Sequence, residues 1–229
     1  MRLLKLLVWI MYPVFFVALF ASMLTTKTYM NISEGLYESH DNTGWRRDGT
    51  VYEYDYTYVS HKIIDYLNYQ HDDLSFGAFE TESDPVMRDI EIRHMEDVRD
   101  VYTNVRLAGV FSFLGVIFLS GFMYFKSKKT LYETYKNLFI LPLLFVMVVG
   151  SWFAVNFSAA FTIFHEIFFD NDDWILLSGD VLIRILPQNF WLVSGVIILG
   201  LLLIANIIPY IITKKLGKPN LHESSRRFL

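Results

Sequence analysis

The sequence predicts an α-helical integral membrane protein with four transmembrane helices, and three observations support this fold class. Hydrophobic residues make up 53% of the 229-residue chain. Four apolar runs without a charged side chain reach the roughly 20 residues that a helix needs to cross a bilayer. They are Leu6–Leu24, Leu107–Phe125, Leu138–Phe157 and Phe190–Ile212. The charges between these runs also alternate in sign along the chain.

Lysine and arginine set the predicted orientation, because cytoplasmic loops of membrane proteins carry an excess of both. Residues 27–105 hold seven basic and 17 acidic side chains, whereas both termini and the loop between the second and third runs are basic. We therefore expect both termini to be cytoplasmic in a multi-pass cell-membrane protein. The predicted segments are a cytoplasmic N-terminus with the first span (1–26), an extracytoplasmic domain (27–105), the second span (106–126), a basic cytoplasmic loop (127–136), the third span (137–158), an extracytoplasmic loop (159–189), the fourth span (190–213) and a basic cytoplasmic tail (214–229).

The first run is predicted to be a retained anchor. It is longer than the roughly 7–15 apolar residues of a signal-peptide core, and Ala18 and Ala21 do not form an A-x-A cleavage site. On the third run, Gly150, Ala154 and Ser158 form a small-residue face that predicts helix packing.

The extracytoplasmic domain between the first two spans is predicted to be a small α or α+β unit. Asn31–Val51 is rich in turn formers, and Tyr52–Tyr58 has the aromatic content of a strand. The apolar positions of Tyr56–Tyr69 fit one stripe of a helix. Asp84-Pro85 is a typical helix start, and nothing after it interrupts a helix that continues into the second span.

Composition excludes several functions. The chain has no cysteine, so disulfides, thiolate metal sites and a cysteine nucleophile are absent. Its basic residues form short clusters that membrane topology explains, which argues against nucleic-acid binding.

His94, in the run HMEDV, is the first candidate for chemistry. On a helix Asp97 lies one turn further along the same face, where its carboxylate could orient the imidazole and raise its basicity. A surface His-Asp pair on an amphipathic helix is the alternative interpretation.

His165, in the run FTIFHEIFF, is the second candidate, and the predicted topology places it on the same side of the membrane as His94. Its apolar neighbours predict a pKa lowered by desolvation. A packed histidine with a backbone hydrogen bond would give the same pattern. Glu166 follows directly, but a zinc protease helix of the HExxH type would need histidine where Phe169 stands.

Two longer runs make the chain recognisable when they are taken with HMEDV. FTIFHEIFF with Trp174 follows the third span, and GDVLIRILP (Gly179–Pro187) precedes the fourth. Together with the four spans, they resemble the lipoprotein intramolecular transacylase (Lit) family of low-GC Gram-positive bacteria. The specific part of the resemblance lies in residues 88–101 and 161–191.

The resemblance implies an acyltransferase that needs no cofactor, no metal and no obligate protein partner. Its substrate would be a diacylglyceryl lipoprotein among the membrane lipids, whose sn-2 acyl chain moves to the α-amino group of the N-terminal cysteine. The family's two catalytic histidines map onto His94 and His165, at the outer leaflet. We expect His94, oriented by Asp97, to be the base and His165 the acid or oxyanion partner, although the reverse is also open.

Other side chains near the predicted interface are candidates for contact with the substrate or with lipid headgroups: Arg93, Arg106, Trp174 and Arg184. Two other classes of protein also remain open from the residues alone. One is a metal-dependent membrane hydrolase with His94, Asp97, His165 and Glu166 as ligands. The other is a non-enzymatic accessory membrane protein.

Overall fold

Helices dominate the fold of the chain, for which a computed structural model describes residues 1–36, 42–45, 48–138 and 140–216. The described elements are, in chain order, α1 (Arg2–Leu24), α2 (Lys27–Leu36), β1 (Thr43–Trp45), β2 (Val51–Glu53), α3 (Tyr56–Leu67), α4 (Asp89–Lys126), α5 (Lys128–Leu138), α6 (Ile140–Val155), α7 (Phe157–Phe168), α8 (Val181–Ile185) and α9 (Gln188–Leu216).

Three of these helices, α1, α4 and α9, are each long and apolar enough to cross a membrane. A fourth span is obtained if the pair formed by α6 and α7 is counted as one. The predicted class of helical membrane protein is therefore confirmed, with three to four candidate spans.

The helices α1 and α4 pack closely because glycines of α4 face side chains of α1. A Cβ atom at Gly109 would overlap the Ala18 methyl group, and one at Gly115 would overlap Met11. The rings of Phe15 and Phe113 add an aromatic contact, with centroids 5.0 Å apart. This packing fixes α4, which carries His94.

The segment predicted as a basic cytoplasmic loop, 127–136, is mostly helical, because the structure has α5 there. The helix is amphipathic, and its apolar side, including Leu131 and Tyr135, is buried in a cluster with residues of α1 and α4. The Tyr135 hydroxyl also lies 2.7 Å from the hydroxyl of Ser120 on α4. The connection between the second and third spans is therefore a helix that packs against α1 and α4.

The outer domain differs from the prediction in two places. The turn-rich segment predicted from Asn31 begins later, since α2 extends to Leu36; residues 37–41 and 46–47 of that segment lie outside the described residues. The strand predicted at Tyr52–Tyr58 is wrong beyond Glu53: β2 pairs antiparallel with β1, and α3 begins at Tyr56. Asp55 caps α3 by accepting a hydrogen bond from the Tyr58 amide at 2.9 Å, which explains the early change to helix. The helix predicted from Tyr56 is confirmed.

The helix α4 is continuous into the second span, as predicted, but it starts at Asp89 and not at Asp84-Pro85. Arg88 is its N-cap, and the side chain of Glu91 accepts a hydrogen bond from the Arg88 amide at 2.8 Å. Its 38 residues correspond to about 57 Å of helix, whereas a hydrocarbon core is about 30 Å thick. The first part of α4, with His94, therefore projects beyond the span.

The continuous third helix predicted over 138–157 is interrupted at Asn156, where the chain bends by 119°. Asn156 ends α6 and caps α7, because its side chain accepts a hydrogen bond from the Ala159 amide at 3.1 Å. The small-residue face predicted for packing is exposed at Gly150, and an added Cβ atom there would meet nothing within 4 Å. The bend brings α7, with His165, towards α4.

Candidate active site

The two candidate histidines meet at one end of α4. Their ring centroids are 5.8 Å apart and the ring planes are inclined by 37°. His94 belongs to α4 and His165 to α7, and each side chain is only 7% exposed. The two imidazoles form no hydrogen bond with each other, so their remaining nitrogen atoms can face a common substrate.

His165 is fixed by one hydrogen bond and by aromatic rings. Its Nδ1 lies 2.7 Å from the carbonyl oxygen of Phe161. Because a carbonyl only accepts, Nδ1 carries the hydrogen, and in the neutral ring the lone pair is on Nε2. Trp174 stacks on the imidazole with centroids 5.0 Å apart, and Phe161 lies at 4.0 Å. Burial lowers the pKa of His165, as the sequence predicts, and the Phe161 carbonyl partly opposes this.

His94 is buried with less hydrogen bonding. In the described part of the chain, nothing forms a hydrogen bond with its Nδ1. The ring of Phe169 packs edge-on against the imidazole, with centroids 5.1 Å apart. Burial lowers the pKa of His94 to about 4; the neighbouring His165 adds to this effect, and the charges of Asp97 and Asp173 oppose it. His94 is therefore neutral near pH 7.

Among the described residues, no hydrogen bond joins His94 to Asp97, the residue expected to orient its imidazole. Asp97 instead accepts a hydrogen bond from the side-chain amide of Asn171 at 2.8 Å. Its carboxylate acts on His94 only through its charge, which raises the imidazole pKa. Helical spacing placed both residues on one side of α4, but it could not anticipate a competing donor 74 residues away.

The arginines predicted to contact headgroups have partners within the protein. Arg93 forms two hydrogen bonds of 2.9 Å with Asp173, in the segment between α7 and α8. Arg106 donates to Asn68 at 3.2 Å. Arg184 donates to the carbonyl of Thr43 at 2.9 Å and lies over the ring of Trp45. Contact with a substrate or headgroup remains a prediction for these residues, as it does for Trp174, whose structural neighbour is His165.

Sequence reasoning missed a buried ionic cluster that adjoins the site. Arg88 donates from Nε to Asp180 at 2.7 Å and forms a second bond to the same carboxylate through a terminal nitrogen. Glu91 is 1% exposed and accepts hydrogen bonds from the amides of Arg88 and Leu182, the latter at 3.0 Å. Burial raises the pKa of Glu91 to about 7. One feature of the sequence could have pointed to Glu91. It precedes His94 by three residues, a spacing that puts both side chains on one side of a helix.

The alternative metal site is not formed. Across residues 1–36, 42–45, 48–138 and 140–216, no three His, Asp or Glu side chains converge in a group that could hold a metal ion. Of the four ligands in that hypothesis, Asp97 is bonded to Asn171 and Glu166 is exposed. The residues present do not fit a metal-dependent hydrolase.

The helices α1, α4 and α9 are long and apolar enough to cross a membrane, and two buried imidazoles lie side by side at one end of α4. Imidazole is the side chain best matched to proton transfer near neutral pH. The family model described as "Lipoprotein intramolecular transacylase Lit" matches residues 6–191. The chain belongs to this family and is a membrane transacylase, which confirms the prediction made from its sequence runs.

Solved structures agree with this assignment at the level of the fold. The chain is similar to the lipoprotein intramolecular transacylase Lit of Bacillus cereus, with a TM-score of 0.72, 19% identity, and coverage of 100% of this chain and 98% of that one. A variant of the same protein with a histidine replaced by alanine gives a TM-score of 0.64, with 19% identity over 100% of this chain and 96% of that one. An uncharacterized protein of Aquifex aeolicus is 31% identical over 103 residues, so the match spans less than half, 45%, of that curated relative and of this chain.

Proposed function

We propose that this protein moves the sn-2 acyl chain of a diacylglyceryl lipoprotein to the α-amino group of the lipoprotein's own N-terminal cysteine. The product is a lyso-form lipoprotein with an N-acyl chain. The observation that carries the proposal is the burial of the imidazoles of His94 and His165 with ring centroids 5.8 Å apart. Both rings are close enough to serve one reacting centre, and membership of the family supplies the reaction class.

The proposed topology has four spans, in which α6 and the bend into α7 form the third. The basic residues at the N-terminus, around α5 and after α9 then lie in the cytoplasm of a bacterial cell, and the acidic outer domain lies outside. His94 and His165 are on the outer side in this arrangement, at the outer leaflet, where a lipid-anchored substrate presents its glyceryl group.

The reaction needs one proton to be removed and one to be supplied. The neutral amine attacks the ester carbonyl carbon, and a carbon–nitrogen bond forms in a tetrahedral intermediate. The bond from this carbon to the glyceryl oxygen then breaks, and the proton lost by nitrogen is matched by one gained by that oxygen. Amine and ester belong to one molecule, so the protein need only bring them into contact.

The hydrogen bond to Phe161 supports assigning His165 as the base, which reverses the order expected from the sequence. With hydrogen fixed on Nδ1, the neutral His165 ring offers a lone pair at Nε2 and has no hydrogen there to donate. His94 Nδ1 has no described partner, so its hydrogen can reside on either nitrogen. His94 is accordingly the group proposed to protonate the glyceryl oxygen. The proton that His165 takes from the amine then passes to His94, so that both rings end in the neutral form.

Mass spectrometry of the N-terminal lipopeptide of a lipoprotein tests the proposal in cells with and without this protein. We expect the N-acyl lyso form only in its presence. His94→Ala and His165→Ala should each lower conversion by roughly 100-fold or more, the size of a typical acid–base contribution. His71→Ala, at an exposed histidine, is the matched control and should be fully active.

Two results would contradict the proposal. A diacylglyceryl lipoprotein with a free amine in cells that express the wild-type protein would exclude the reaction. Full activity of either histidine variant, at wild-type expression, would exclude the acid–base pair.

A further inference from the structure

The segment between α7 and α8 is joined to α4 at two places. At the exposed place, Asn171 and Asp173 contact Asp97 and Arg93. At the buried place, the Asp180 carboxylate binds Arg88, and the Glu91 carboxylate accepts from the Leu182 amide. Trp174, which stacks on His165, lies between the two places.

The buried contacts are saturated, which distinguishes them from a ligand site. One oxygen of Glu91 accepts from Leu182 at 3.0 Å and the other from the Arg88 amide at 2.8 Å. One oxygen of Asp180 accepts from Arg88 Nε at 2.7 Å, and the other accepts from the Leu177 amide at 2.6 Å and from Arg88. All four carboxylate oxygens have protein partners, so the network holds segments together.

Glu91 occupies the central position in this network. Its two acceptor bonds join the first turn of α4 to the first turn of α8, and Asp180 is the N-cap of α8. His94 follows Glu91 by one turn on a rigid helix, so the position of this turn sets where the His94 ring lies. The anchored start of α8 sets where the segment that carries Trp174 ends.

We propose that Glu91 is a positioning residue for acyl transfer, which holds His94 on α4 in register with the Trp174 segment that packs on His165. This inference rests on the proposed function. Glu91 does not touch the reacting atoms, and its effect is to keep the imidazoles at the separation that the reaction needs. In Glu91→Gln, an NH₂ group replaces one of the acceptor oxygens and faces a backbone N–H of Arg88 or Leu182. Two donors cannot form a hydrogen bond with each other, so this contact is weakened.

Glu91→Gln in purified, full-length protein in lipid vesicles is the test, with Glu96→Gln as the matched control on the exposed side of the same helix. We expect kcat to fall by roughly 10- to 100-fold, since displacement of a reacting group by about 1 Å can have this effect. KM should be unchanged, because Glu91 does not contact the substrate. Glu96→Gln should match the wild type in both constants.

The pH profile separates positioning from a structural role. The charged groups that face Glu91 are Arg88 and Asp180, and the phenol of Tyr52 lies near Arg88. In the wild type, kcat should fall as the pH drops through about 7, where Glu91 becomes protonated. The reason is that only the carboxylate form accepts strong hydrogen bonds from both backbone amides. This ionisation should be missing from the profile of Glu91→Gln and present in that of Glu96→Gln.

A second measurement needs no turnover. Diethyl pyrocarbonate modifies exposed imidazoles, and mass spectrometry gives the rate at each histidine. We expect the buried His94 and His165 to react several-fold faster in Glu91→Gln than in the wild type, with His71 unchanged as an internal standard. If His94 and His165 react more slowly in the wild type than in Glu91→Gln, but the wild type shows no acyl transfer, the proposed reaction fails. The inference that Glu91 positions the two imidazoles is then retained.

Two outcomes overturn the inference. One is an active wild type with kcat, pH profile and modification rates unchanged in Glu91→Gln. The other is a lower melting temperature for this variant with an unchanged kcat per folded molecule, which would indicate a structural role only. If Glu91→Gln does not fold, Asp180→Asn breaks the same junction from the other side and is judged by the same criteria.

Discussion

Replacement of Trp174 tests whether the stacked indole supports the chemistry of His165. The two rings are 5.0 Å apart and inclined by 29°, a stacked arrangement. Such aromatic pairs contribute about 0.5–1.5 kcal/mol beyond the burial of their area. If this interaction is retained in the transition state and lost in Trp174→Ala, the rate should fall by about 2- to 13-fold, at 1.36 kcal/mol per factor of ten.

The assay is the initial rate of N-acyl product formation in lipid vesicles, measured by mass spectrometry for Trp174→Ala, Trp174→Leu and Trp174→Phe. The leucine variant restores apolar bulk without a ring, and the phenylalanine variant restores a ring. We expect phenylalanine to recover most of the rate and leucine to recover little. Equal rates for leucine and phenylalanine would refute an aromatic contribution, and a wild-type rate for alanine would refute any role of the indole.

Three further predictions concern stability and the ion pair between Arg93 and Asp173. Burial lowers the pKa of His94 to about 4, whereas a histidine in the unfolded chain has a pKa near 6.5. Between these two pH values the unfolded chain therefore binds more protons than the folded protein, and the melting temperature should rise with pH. The rise should be smaller in His94→Gln, which lacks this ionisation. Gly109→Val should lower the melting temperature because its side chain overlaps Ala18, whereas Gly121→Ala, where an added Cβ meets nothing within 4 Å, should not. Arg93→Gln should remove the ion pair with Asp173 and make the transfer rate less sensitive to salt, as measured between low and high ionic strength.

The membrane class could be predicted from the sequence because it depends on composition and period. The catalytic roles of His94 and His165 were implied by the family resemblance and stay a prediction. Runs of apolar residues identify spans whatever their packing partners are, and the continuity of α4 through His94 needed only the absence of a breaker. The resemblance to the family rested on short runs around His94 and His165. The match of the family model to residues 6–191 confirms the family.

The contacts between distant segments could not be predicted in this way. The bend at Asn156 depends on a single side chain that caps a new helix in the middle of an apolar run. Asp97 accepts a hydrogen bond from Asn171 and not from His94, because the fold brings the side-chain amide of this distant residue next to the carboxylate. Glu91 looked like one acidic residue among many, and only burial against Leu182 distinguishes it from Glu96. Each of these outcomes is decided by tertiary packing and not by local preference.

Burial of the two imidazoles has a second consequence for the proposed reaction, which is the exclusion of water. An ester next to two histidines can also be attacked by water, which would release a free fatty acid in place of an N-acyl chain. The 7% exposure of His94 and His165 limits the contact of solvent water with their rings, whereas the substrate amine would arrive as part of the bound molecule. Trp174→Ala opens the cover on His165, so it should raise the ratio of free fatty acid to N-acyl product as well as slow the transfer. An unchanged ratio would mean that the amine outcompetes water through its attachment to the ester alone.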